Sequence, residues 1–100
     1  MSAAEAHTLT ELARQQAKAL GQSWATELKA SIILERRRPC GGWPGIMSEA
    51  RARVSVSLLP WLERGGQRVL TVEQREAAAR LIYASARSTW IETREADDGI

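Results

Sequence analysis

Apolar residues recur with helical spacing in both terminal thirds of this 100-residue chain, and that spacing limits the folds open to it. At about 100° per residue, the large apolar side chains of the N-terminal third fall on one side of a helix. Charged and amide side chains fall opposite them. The length suits one domain with a single core. We therefore expect an all-α domain, a small bundle of three main helices.

The first helix is predicted between about Leu9 and Arg37. Thr8 and Glu11 have the spacing of a capping box, in which each side chain accepts a hydrogen bond from an unpaired backbone N–H. Pro39 ends the helix, because a proline disfavours the α conformation in the residue before it. The predicted apolar face contains Leu9, Leu12, Ala13, Gln16, Leu20, Trp24, Leu28 and Leu34.

A loop rich in glycine and proline separates the first helix from the second. Residues 36–45 read RRRPCGGWPG, which places three cations and one aromatic ring at this boundary. Two interpretations of Trp43 stay open: the indole folds back to cover the end of the helix pair, or it is exposed to bind a partner. The spaced glycines and the Lys-Ser/Thr ending of a phosphate-binding loop are missing. The loop is therefore predicted to be a boundary rather than a phosphate site.

The middle segment favours a helix and also permits a strand. Ser48 is predicted to cap a helix that begins at Glu49. Residues 53–58 also alternate with period two, so the alternative is an α+β fold with a short strand near 53–58. Pro60 is predicted either to kink the helix or to open a short turn through residues 61–64, and Gly65 with Gly66 to stop the helix. The predicted apolar stripe is Ala50, Val54, Leu58, Trp61 and Leu62.

The last helix is predicted from Thr71, which forms a second capping box with Gln74, to about Thr93. A helix that is apolar on two sides needs two neighbours. The first helix and the middle segment supply both, or a second copy of the chain supplies one, which is the basis for a possible homodimer. The two strips are Ala78, Leu81, Ile82, Ser85 and Thr89 on one side and Val72, Ala79, Tyr83, Ala86 and Trp90 on the other.

The ends of the chain are predicted to lie outside the domain. Residues 1–7 are interpreted as a flexible N-terminus, residues 8–94 as the single helical domain, and residues 95–100 as a flexible acidic tail. An export signal and an apolar run of about 18 residues are both missing from the sequence. We therefore expect a cytoplasmic protein that does not enter a membrane.

The chemistry-bearing residues are too few to predict a reaction. Cys40 is the single cysteine and His7 the single histidine, and they are distant in sequence. A nucleophile needs a base beside it, and zinc needs several clustered nitrogen or sulfur ligands. No catalytic residue, metal ligand or cofactor site is predicted, and the chain is not expected to be an enzyme.

Charge is concentrated in the middle of the chain. Residues 36–68 carry seven arginines and two glutamates, a local surplus of five positive charges, although the whole chain carries only +2. The chain is predicted to be a small non-enzymatic interaction or regulatory module that binds a protein partner. Self-association of the chain is a further possibility. The alternative is a nucleic-acid-binding regulatory protein that uses the basic patch of residues 36–68. The candidate partner-binding residues are Arg36, Arg37, Arg38, Trp43, Arg51, Arg53, Tyr83 and Trp90.

Overall fold

A computed structural model describes residues 9–34, 43–66 and 70–98, and within these ranges the chain contains helices and no strand. The elements are α1 (Glu11–Leu34), α2 (Met47–Arg53), a π-helical turn (Val54–Leu58), α3 (Leu59–Arg64) and α4 (Val72–Asp98). The second, third and fourth of these are continuous, and we refer to Met47–Arg64 as the middle helix. The all-α prediction is confirmed. The alternative strand near 53–58 is wrong, because those residues are helical.

Helices α1 and α4 run parallel to each other. The Ser85 hydroxyl donates to the Lys18 carbonyl at 2.7 Å, and the Lys29 ammonium donates to the Thr93 hydroxyl at 2.7 Å. Residue numbers therefore increase in the same direction along both helices.

The middle helix runs antiparallel to α4. Its Arg51 pairs with Glu76, whereas Trp43, just before it, lies beside Trp90. Helix α4 thus contacts both α1 and the middle helix of its own chain. The two neighbours that its two apolar strips require are both present within one copy, although Val72, assigned to one strip, is 75% exposed.

Small residues bring α1 and α4 close together. Gly21 lies at their contact, and a Cβ atom placed there would lie 2.7 Å from the Ser85 Cβ and 2.9 Å from the Ala86 nitrogen. Real Cβ atoms do not approach other atoms that closely, so only glycine fits at this separation. The buried positions nearby are spaced by four along α1 (Ala13, Ala17, Gly21 and Ala25), and α4 contributes Ala78, Ala79, Ile82 and Ala86.

The predicted apolar face of α1 is therefore partly wrong. Leu12, assigned to that face, is 43% exposed, and Leu20 is only half-buried. Ala17 and Ala25, which were not assigned to it, are buried. Hydrophobicity ranks leucine above alanine, but the close contact with α4 requires small side chains, and this rotates the buried face toward them.

The middle helix keeps one apolar line along its whole length. Ala50, Val54, Leu58 and Leu62 are buried at a constant spacing of four, as predicted, and Trp61 is half-buried. In an α-helix such a series drifts by about 40° per step. The π-helical turn is wider, with Leu59 donating to the Val54 carbonyl five residues back, so it offsets part of the drift. The kink at Pro60 stays a prediction.

The helix starts agree with the sequence at one end of the bundle and differ at the other. The Thr71 capping box forms: its N–H donates to the Gln74 side chain at 2.9 Å, and its hydroxyl accepts from the Gln74 N–H at 3.1 Å. The predicted cap at Ser48 is wrong. Helix α2 begins at Met47. The Glu49 carboxylate accepts a hydrogen bond from the Ile46 N–H at 3.3 Å, which satisfies a backbone donor that has no partner within the helix.

The remaining helix ends differ from prediction in smaller ways. Helix α1 starts at Glu11, with the Thr10 hydroxyl accepting from the Ala13 N–H; residues 1–8, Arg37 and Pro39 lie outside the described residues. The stop after α3 is confirmed, since Gly66 has φ of 76°, which favours glycine. Helix α4 continues to Asp98 rather than ending near Thr93, because nothing before Gly99 breaks it.

Candidate partner site at the aromatic end of the bundle

Four aromatic rings meet where α1 and α4 approach their C-terminal ends. Trp43 lies among the other three, with its ring centroid 4.8 Å from Trp24, 5.7 Å from Trp90 and 6.2 Å from Tyr83. The contacts are edge-to-face, the arrangement that aromatic quadrupoles favour. Of the two interpretations of Trp43, the structure has the one in which the indole folds back onto the bundle. We call these four residues the aromatic cluster.

The cluster is assembled from three separate parts of the chain. Trp24 belongs to α1, and Trp43 belongs to the loop before α2. Tyr83 and Trp90 both lie on α4, where a spacing of seven residues places them on one side, two turns apart. Trp43 therefore ties the loop to both long helices.

Gly45 allows the loop to turn back against its own tryptophan. A Cβ atom at this position would overlap the Trp43 indole, so a larger residue would displace the ring. On either side of this glycine the chain is open to solvent: Pro44 is exposed and Ile46 is 57% exposed. The anchored indole thus holds two exposed residues in fixed positions, and we call residues 44–46 the loop rim.

Packing rather than hydrogen bonding holds the tryptophans. The Nε1 atoms of Trp43 and Trp90 are buried, and neither has a hydrogen-bond partner among the residues that the structure describes. Each unpaired buried donor costs about 1–3 kcal/mol. The apolar contacts of the rings must offset that cost.

Two cations lie over faces of the cluster. The Arg53 guanidinium is 4.3 Å from the Trp24 ring centroid, and the Lys29 ammonium is 5.3 Å from that of Trp90. These are cation–π distances. Arg53 also donates to the Glu49 carbonyl at 3.3 Å. Its charge is thus directed back onto the protein.

Arg51 joins α2 to α4 through a two-pronged ion pair. Its Nε and Nη2 atoms donate to the two carboxylate oxygens of Glu76 at 3.0 and 2.9 Å. The hydrogen bond to Arg51 lowers the pKa of Glu76, and the same hydrogen bond raises the pKa of Arg51. The pair lies at the surface, so its geometry contributes more to the orientation of α2 than to stability.

The predicted partner residues fall into four groups. Arg36, Arg37 and Arg38 lie outside the described residues. Trp43 and Tyr83 are half-buried in the cluster, and Arg51 and Arg53 make the intramolecular contacts above. Trp90 is 1% exposed, so it is part of the core in this conformation.

Sequence reasoning did not include the loop rim among the candidate residues. The sequence does not show that Pro44 and Ile46 have fixed positions, because their positions are fixed only by the contact of Trp43 with the helices. Trp24 was assigned to the core face of α1, and the structure confirms that assignment, since it is 3% exposed.

Comparisons with known protein families, with curated proteins and with solved structures find no match for this chain. In the described residues, no helix is long and apolar enough to cross a membrane. Those same residues contain no group of three or more His, Cys, Asp or Glu side chains placed to hold a metal ion.

Proposed function

We propose that this protein is a small non-enzymatic interaction module that binds a protein partner at the aromatic end of the bundle. The partner contacts the loop rim and the arginines that precede it. One observation carries this proposal: Trp43 is anchored among three rings, while Pro44 and Ile46 beside it remain exposed.

An anchored loop suits binding for an entropic reason. Ordering a mobile side chain or loop at an interface costs free energy, which a pre-ordered loop avoids. Full burial of an isoleucine side chain contributes about 1.5–3 kcal/mol. Ile46 is exposed on a loop that is already fixed. A partner that covers its side chain therefore obtains much of this burial free energy without the cost of ordering the loop.

Charge indicates what kind of partner fits. Residues 36–38 are three successive arginines, only five residues before Trp43 in sequence. Cations at the edge of an interface accelerate association with an oppositely charged surface. We therefore expect a partner with an apolar patch for Ile46 and an acidic rim.

The experiment starts with a partner identified by copurification from the native host and mass spectrometry. Its affinity is then measured for the wild-type chain, for Ile46→Asp and for Val56→Asp by calorimetry. Val56, on the π-helical turn, is 75% exposed and provides the matched control. We expect Ile46→Asp to weaken binding about ten-fold or more and Val56→Asp to leave it unchanged. Equal affinities for both variants would contradict the proposed site.

Nucleic-acid binding by the basic patch stays the alternative. Two arginines of that patch, Arg51 and Arg53, make intramolecular contacts with Glu76 and Trp24. The test is retention on heparin and DNA columns against salt. Retention that falls steeply with salt, and that is lost when Arg36, Arg37 and Arg38 become alanine, would favour nucleic acid over a protein partner.

A further inference from the structure

We propose that the outer side of α4 binds the same side of a second copy of this chain, with the two α4 helices parallel. This dimer goes beyond the partner site proposed above and is one form of the possible homodimer that the sequence predicts. It uses a different surface from the loop rim, so partner binding and dimerisation can fail independently.

A heptad-spaced stripe lies on the outer side of α4. Its members are separated by four, three, four and three residues, which is the a/d spacing of a coiled coil. Ala84, Ser88 and Ile91 are exposed, the last by 40%, and Ala77 and Leu81 are half-buried. We call these five residues the outer stripe.

Within the described residues the neighbouring helices leave Ala84, Ser88 and Ile91 exposed, whereas Ala77 and Leu81 are half-buried against the core of their own chain. Helix α1 packs against α4 around Ile82 and Ala86, and the middle helix meets it at Glu76. A shallow groove of about 230 Å³ runs beside the stripe, with Lys18 of α1 at its edge and Leu81, Ala84, Ser85 and Ser88 along α4. The small side chains leave room for a second helix to approach.

Charge complementarity identifies a parallel second copy as the occupant. Arg87 and Glu92 flank the stripe on opposite sides, five residues apart, and neither has an ion pair within the described residues. In a parallel pair of heptad helices, such positions face each other across the seam. Two-fold symmetry then forms the Arg87–Glu92 contact twice.

The antiparallel arrangement is disfavoured by the same charges. With the stripe superposed on itself in reverse, Arg80 of one copy lies opposite Arg87 of the other, again twice. Both arginines are exposed, so this arrangement pairs like charges.

Two features limit the affinity of the parallel pair. The seam covers about two heptads, which gives an interface at the small end of those that associate specifically. Lys18 also lies next to Ser85, on the side that faces Arg80 of the second copy. We therefore expect a dissociation constant on the order of 100 µM.

Charge reversal tests the surface and the orientation together, by sedimentation equilibrium between 10 µM and about 1 mM. Arg87→Glu and Glu92→Arg each place like charges opposite each other in the parallel dimer, so each is expected to weaken it about ten-fold. The double variant Arg87→Glu/Glu92→Arg restores opposite charges and should recover wild-type affinity. If Arg87→Glu tightens association instead, the antiparallel arrangement holds and the proposal is overturned.

Two further substitutions test the seam itself. Ala84→Glu buries a charge at the centre of the stripe and should abolish the dimer, whereas Val56→Asp, elsewhere on the surface, should not change it. Lys18→Glu replaces the opposing charge and should tighten association about three-fold. A wild-type chain that is monomeric at the highest concentration, or an Ala84→Glu variant that still dimerises, would overturn the proposal.

Discussion

Helices α1 and α4 are held together in two different ways along their length. Near Gly21 they touch almost backbone to backbone, through alanine and glycine. Toward the aromatic end the space between the helices is occupied by large rings, one of which, Trp43, comes from the loop. The first region sets the distance between the helices, and the second sets the position of the loop. A substitution in one region should therefore leave the other property intact.

The largest expected effect is at the aromatic end. Trp43→Ala removes the ring that contacts Trp24, Tyr83 and Trp90, and we expect a loss of about 3 kcal/mol in the free energy of unfolding, measured with urea. The loop rim should lose its fixed position as well.

Trp43→Phe is the matched control for this substitution. It keeps a ring in the cluster and removes an indole N–H for which the described part of the chain offers no hydrogen-bond partner. We expect most of the stability to be retained. A loss equal to that of Trp43→Ala would contradict the conclusion that packing of an aromatic ring at this position stabilises the cluster.

The next effect is at the close contact of the helices. Gly21→Ala introduces a methyl group against the Ile82 carbonyl and Ser85, so α1 must move away from α4. Overpacking of this kind costs about 1–3 kcal/mol, which exceeds the gain of up to about 1 kcal/mol in helix propensity. Thermal unfolding should show a lower midpoint.

Gly65→Ala provides the comparison for that contact. Its nearest neighbour would be the Leu62 carbonyl at 3.5 Å, an ordinary distance, and its φ of −85° suits any residue. We expect a change within about 0.5 kcal/mol. A Gly21→Ala variant as stable as Gly65→Ala would mean that the helices are farther apart than described.

The smallest effect concerns the Arg51–Glu76 pair, which lies outside both regions. Because the pKa of Glu76 is lower in the folded state, the pair stabilises the fold above the unfolded pKa of about 4.3, and that contribution is lost as the pH falls through the folded pKa. Glu76→Gln should therefore reduce stability slightly at pH 7. The difference between the two proteins in urea unfolding should disappear near pH 2. A difference that persists there would have another cause.

Most of the architecture could be predicted from the sequence. Helical spacing predicted three helices, the capping box predicted the start of α4, and the spacing-four line predicted the buried side of the middle helix. These features depend on local chemistry or on periodicity, which a single chain displays. The π-helical turn was not predicted. It offsets the rotation of the buried line around the middle helix, and that rotation matters only once the helix packs against the bundle.

The candidate site was less accessible to sequence reasoning. Tyr83 and Trp90 were placed on one side of α4, but their meeting with Trp24 and Trp43 depends on contacts between residues distant in sequence. The close approach at Gly21 was likewise not predicted. By helix propensity, a glycine within a helix is only destabilising, and its role in helix packing becomes visible only from its contact with Ser85. The fixed, exposed position of the loop rim depends on these contacts, so it could not be predicted from the sequence without them.

Nuclear Overhauser effects from the indole protons of Trp43 measure whether this ring is anchored against the two long helices. We expect cross-peaks from the Trp43 ring to the rings of Tyr83 and Trp90, together with Ile46 methyl groups that show few long-range contacts. A Trp43 indole without such cross-peaks and with the chemical shifts of an unstructured peptide would contradict this anchored position.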